Sequence, residues 1–86
     1  MSQTATPPRD HAAVIIRVNG MTSNESASAI RERLMQVEGV LSVRMNISDP
    51  SARVEYQPSR QTPIALSTII GQMGFGTTIR SMLRTM

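Results

Sequence analysis

Residues 12–40 read AAVIIRVNGMTSNESASAIRERLMQVEGV, and the spacing of their apolar residues changes once along the way. Val14, Ile16 and Val18 alternate with Ile15 and Arg17, the period of two that marks a half-buried strand. After Gly20 the period lengthens. Ala27, Ile30, Leu34 and Val37 recur every three or four residues, one apolar stripe on a helix from about Asn24 to Glu38. The seven residues between, GMTSNES at 20–26, must turn a strand into a helix. Thr22 or Ser23 is placed to cap that helix, and Gly39 stands where glycine commonly ends one.

The same two periods repeat downstream. Val43, Met45 and Ile47 alternate with Arg44 and Asn46, predicting a second strand. Asp49-Pro50-Ser51 turns the chain, and Ala52, Val54 and Tyr56 alternate with Arg53 and Glu55 in a third strand. Thr62-Pro63 is a helix start, threonine as cap and proline in the first turn. Ile64, Leu66, Ile69, Ile70 and Met73 follow at mostly helical spacing until Gly74. Thr77, Ile79 and Ser81 predict a last strand. The order β-α-β-β-α-β predicts an α+β, ferredoxin-like sandwich: a four-stranded antiparallel sheet with two helices on one face. Residues 1–11, polar and carrying Pro7-Pro8, read as a disordered lead-in, 12–82 as the single domain and 83–86 as a tail.

Composition narrows the function classes. The chain has 86 residues, enough for one small domain. Only 2% are aromatic against 40% apolar, so the core is aliphatic, with methionines among the seven filling gaps. There is no cysteine, hence no disulfide and no thiolate metal site. The longest apolar run, Ala12 to Ile16, is too short to cross a bilayer, so no direct membrane insertion is expected. The net charge of +3 comes from nine arginines without any lysine. They are spread along the chain, which reads as a solvated surface rather than a nucleic-acid stripe. His11, the one histidine, reads as solvated.

From the residues alone, Ser23 is a helix N-cap that accepts from the Ser26 backbone N–H. Glu25 lies in the first turn, where a carboxylate complements the helix dipole. Beside Ser23 and Ser26 it would give a metal only one anionic group.

VNGMT with the following helix, VEGVLSVRMNI, ARVEYQP and IIGQMGF together resemble the heavy-metal-associated domain family. This module occurs in copper chaperones and in the cytosolic tails of copper-transporting P-type ATPases. The resemblance spans residues 12–82. The family motif is GMTCxxC, so Ser23 and Ser26 stand where it has two metal-binding cysteines. The family's ion, copper(I), is soft and favours thiolate and thioether ligands, whereas a serine hydroxyl is a hard, weak donor. The resemblance therefore implies a cytoplasmic docking or regulatory module that holds no copper(I) tightly, although a cysteine-containing version would bind and relay it. It also implies that Met21 packs beneath the loop. Phe75 favours an ATPase-type module over a chaperone, in which lysine or tyrosine is common near that position.

The expected contact surface is Met21, Thr22, Ser23, Asn24, Glu25, Ser26 and Phe75. The expected partners are a copper chaperone or other domains of a parent ATPase, met weakly by a monomer. The serines have two possible origins, a naturally degenerate copy or a deliberate replacement of cysteine.

Other classes on the same topology fit less well. A stand-alone copper-chaperone-like protein is the alternative within the family. An RNA-recognition domain would stack bases on sheet aromatics, and AVIIRV has none while the third strand has only Tyr56. An acylphosphatase-type enzyme would need an arginine in the loop after the first strand, and GMTSNES has none. A small-ligand-binding regulatory domain is suggested only by Gly39-Val40. No catalytic residues are expected.

Overall fold

Strand β1, Ala12–Asn19, lies inside the sheet because both of its edges are paired. The computed structural model describes residues 11–84, so the reading of 1–10 as disordered and of 85–86 as tail lies outside the described residues. Helix α1 (Asn24–Met35), strands β2 (Val40–Asn46) and β3 (Ser51–Tyr56), helix α2 (Pro63–Gln72) and strand β4 (Gly76–Arg84) follow. All pairings are antiparallel, in the order β2-β3-β1-β4. This is the ferredoxin-like arrangement expected from the sequence.

Alternation along the strands sorts residues between two faces. Val14, Ile16 and Val18 are fully buried under the helices, as are Ala52 and Val54 of β3. Ala27, Ile30 and Leu34 of α1 and Leu66 and Ile70 of α2 complete the same core. Tyr56 also points inward and is buried, which leaves no aromatic on the open face among the described residues.

Several boundaries differ from the sequence reading. Helix α1 ends at Met35, not Glu38, because its last bonds tighten: Gln36 N–H bonds Arg33 C=O and Val37 N–H bonds Leu34 C=O. The tighter turns let the chain reverse into β2 three residues earlier than expected. Gly39 occupies that reversal with φ +90°, and a Cβ there would lie 2.7 Å from Arg60 Cβ. Both its conformation and the lack of space call for glycine. Gln57 N–H bonds Gly39 C=O and the Gln61 amide bonds Glu38 C=O, tying this turn to the loop before α2.

Ile64 is not on the core stripe. It is 72% exposed, since the inward line of α2 runs through Leu66 and Ile70, four residues apart. The expected tail at 83–86 is corrected as well. Leu83 and Arg84 belong to β4, where they pair with Ala13 and Ala12. The first two residues of β1 supply the hydrogen-bonding edge that holds them.

Leu34 is fully buried against this aliphatic core. Leu34→Ala should therefore destabilise the domain by about 2–5 kcal/mol in denaturant unfolding, as buried leucine truncations do. A loss below about 0.5 kcal/mol, typical of surface sites, would mean that α1 packs by another face.

Candidate functional site

The loop between β1 and α1 is shaped by its backbone before any side-chain chemistry enters. Gly20 has φ +96°, a conformation that side-chain-bearing residues rarely adopt. A Cβ on it would meet Phe75 Cδ1 at 3.7 Å, ordinary contact, so the restriction there is conformational rather than spatial. The same distance places the Phe75 ring beside the loop, although it follows α2 by three residues. Phe75 packs against the core cluster and remains partly exposed.

Met21 follows with only 2% of its surface exposed. Its thioether is turned into the core, so it supports the loop from beneath. As a partner contact it is corrected: a buried side chain presents no surface. Thr22, Ser23, Asn24 and Glu25 are exposed, and Ser26 is partly so.

Ser23, rather than Thr22, is the N-cap of α1. Its backbone is extended (φ −140°, ψ 160°), and its carbonyl accepts from Ala27 N–H at 3.1 Å. Its Oγ accepts from Ser26 N–H at 3.2 Å, the bond expected from sequence. The Ser23 hydroxyl in turn donates to Ser26 Oγ, also at 3.2 Å. The side chains of residues 23 and 26 thus converge at the helix N-terminus. Glu25 lies in the first turn, as expected.

As a ligand set for a soft ion this arrangement does not fit. It offers two neutral hydroxyl oxygens, that of Ser23 engaged in the cap and that of Ser26 accepting from the Ser23 hydroxyl, and the nearby thioether is buried. No group of three or more His, Cys, Asp or Glu side chains suited to a metal occurs among the described residues. His11 lies elsewhere, 3.6 Å from Glu55.

Two surface features escaped the sequence reading. A depression of about 300 Å³ beside the loop is lined by Asn24, Ala27, Ser28, Arg31, Met45 and Ile47. Its signal was present in the i, i+4, i+7 spacing of Asn24, Ser28 and Arg31 along α1. The second is the grouping of arginines on the open face of the sheet, where the linear sequence shows only scattered charges. Arg17, Arg44, Arg53 and Arg80 share the outward phase of four different strands.

Comparison with known proteins follows the same outline. The model of the heavy-metal-associated domain matches residues 15–76. Copper-transporting ATPase 2 of Homo sapiens is 34% identical over 74 residues, which is 86% of this chain but 5% of that protein. The chain thus spans about one-twentieth of the length of the ATPase relatives it matches. Copper chaperone CopZ of Staphylococcus epidermidis is 31% identical over 61 residues, covering 71% of this chain and 90% of CopZ. Among solved structures, the yeast copper transporter domain Ccc2a superposes with a TM-score of 0.77 at 26% identity, covering 81% of this chain and 96% of that one.

The cap makes a local prediction. Ser23→Ala should destabilise the domain by about 0.5–2 kcal/mol, read by thermal or denaturant unfolding, whereas Ser23→Asn should be nearly neutral. Equal losses in the two variants would mean that the Ser23 oxygen does not cap α1.

Proposed function

The chain belongs to the heavy-metal-associated domain family, and from that premise we propose that it serves copper transport as a docking or regulatory module. The domain is a binding module and not an enzyme. In this reading it sits on the cytoplasmic side of a copper-transporting ATPase, and its own loop does not hold copper(I) tightly. The observation that carries the proposal is the convergence of the Ser23 and Ser26 hydroxyls at the mouth of α1. The loop keeps a site-like geometry while its donors are hard and neutral, in a chain without cysteine.

The partner in this reading is a copper chaperone or another domain of the same ATPase. It meets the exposed loop residues Thr22, Ser23, Asn24 and Glu25, together with Ser26 and Phe75 at their edge. With no ion shared between two loops, the contact rests on surface complementarity. Such contacts are weak and salt-dependent. No helix among the described residues is long and apolar enough to cross a membrane. Nucleic acid is not part of this reading, since Tyr56 is buried on the helix side of the sheet.

Anaerobic titration against a chromophoric copper(I) chelator tests the loss of the soft site. The chelator should keep all of the copper. Retention of one equivalent by the protein would overturn the reading.

The loop geometry predicts a rescue. Ser23→Cys with Ser26→Cys places two thiols where two hydroxyls now stand 3.2 Å apart, at a helix N-terminus that favours the thiolate. The folded double variant should compete with the chelator for one equivalent of copper(I). If it is folded and still binds none, the loop has lost the geometry of a metal site.

A further inference from the structure

The face of the sheet turned away from the helices carries an arginine on every strand: Arg17 on β1, Arg44 on β2, Arg53 on β3 and Arg80 on β4. The β1–β4 register shifts between Ile15 and Ile16, leaving Arg80 between the paired residues Ile79 and Ser81. Bulges of this kind re-aim a side chain. Arg80 reaches Asp49 Oδ2 at 2.6 Å, and Arg17 stands 3.6 Å from Asp49 Oδ1.

Glu55 accepts from the Ser42 hydroxyl at 2.9 Å and lies 3.8 Å from Arg53. That hydroxyl bond first holds its carboxyl below the usual range; desolvation opposes it, and the His11 and Arg53 charges add to the lowering. Among the described residues, both acids of this face, Asp49 and Glu55, are therefore engaged. Arg44 has no carboxylate within ion-pair distance among the described residues.

Arg44 and Arg53 are direct cross-strand partners. Like charges directly opposite one another weaken a sheet, so this pair works against folding. A depression of about 370 Å³ opens there, lined by Arg44, Arg53 and Arg80 with Ile15, Asn46 and Asp49 among its walls. A second, of about 250 Å³, adjoins it across the same two arginines and ends at Ser42 and Glu55.

We propose that this groove binds a short acidic segment of a partner protein, with a carboxylate seated between Arg44 and Arg53. The planar guanidinium fork matches a carboxylate, and an anion between the two cations converts their repulsion into paired charge-assisted hydrogen bonds. The groove selects among anionic partners. A single-stranded nucleic acid would need aromatic platforms, and this face has none among the described residues. A flat anionic membrane would meet the exposed carboxylate of Asp49 together with the arginines, whereas a side chain can enter the depression between Arg44 and Arg53. The two adjoining depressions give more length than one small ion fills. None of residues 20–26 takes part, so the proposal stands apart from the fate of the metal loop.

The test uses the full chain in a chemical-shift titration with an acetylated Asp/Glu tetrapeptide at low salt. The expected shifts cluster on β2 and β3 around Arg44 and Arg53 and fade as ionic strength rises. Arg44→Glu should weaken the peptide by about tenfold or more, the scale of one lost charge-assisted contact. The same substitution should raise the thermal midpoint, because the new carboxylate faces Arg53. That opposite movement separates a binding role from a structural one. Arg44→Gln gives a second variant should the first fail to fold, and Arg31→Glu on α1 should leave binding unchanged.

Shifts confined to residues 20–26 or to the helices would overturn the proposal. So would a lowered thermal midpoint in Arg44→Glu. Equal shifts from inorganic phosphate at matched charge would identify an adventitious ion only. Binding solely to anionic phospholipid vesicles or to single-stranded RNA would assign the face to another partner and refute the acidic segment.

Discussion

A strand paired on both edges has only its two faces left to present, and β1 is in that position between β3 and β4. Its inward residues Val14, Ile16 and Val18 are fully buried, so a slip by one residue would put three core side chains into water. That register sets where β1 must end. It delivers Gly20 to the edge of the sheet, where the chain turns into α1, and it aligns Asn19 with Gly76 so that Phe75 arrives beside the loop. The site is a consequence of the central strand's register.

The loop's conformation and the loop's chemistry are held by different forces. A positive φ at Gly20, the buried Met21, the neighbouring Phe75 ring and the Ser23 cap account for the backbone path. None of these requires an ion. A hydroxyl at residue 23 serves as the cap that a turn of helix needs. Coordination of a soft cation makes a different demand, for polarizable anionic donors, and two hydroxyls do not meet it. The shape of this loop therefore does not depend on soft donors.

The two faces of the sheet follow opposite rules. The helix-covered face is aliphatic and closely filled, with Tyr56 as its aromatic contribution. Among the described residues, the open face carries four arginines against Asp49 and Glu55. Exposed ion pairs of this kind add little stability. The Arg44–Arg53 juxtaposition works against the sheet, so the charge of that face is better understood through what it meets than through what it holds together.

Much of this protein was legible in its sequence because short-range physics decided it. The period change after Gly20, the Thr62-Pro63 start and the alternation at Val43–Met45 and Val54–Tyr56 are local signals, and each produced the expected element. The identity of Ser23 as the cap was local too, since its bond to Ser26 spans three residues. Boundaries were less legible. Where α1 stops depends on how the Gly39 turn meets Arg60 and Gln61, residues more than twenty positions away. Whether residues 83–84 belong to the sheet depends on Ala12 and Ala13 at the other end of the chain. Ile64 carries the right chemistry for a core but faces solvent, because helix phase is set by the partners of Leu66 and Ile70. The arginines show the division most plainly. Along the chain they are scattered, and local pattern gives each one only an outward phase on its own strand. Strand order and register bring four of them onto one face, and only pairing between distant segments could do that.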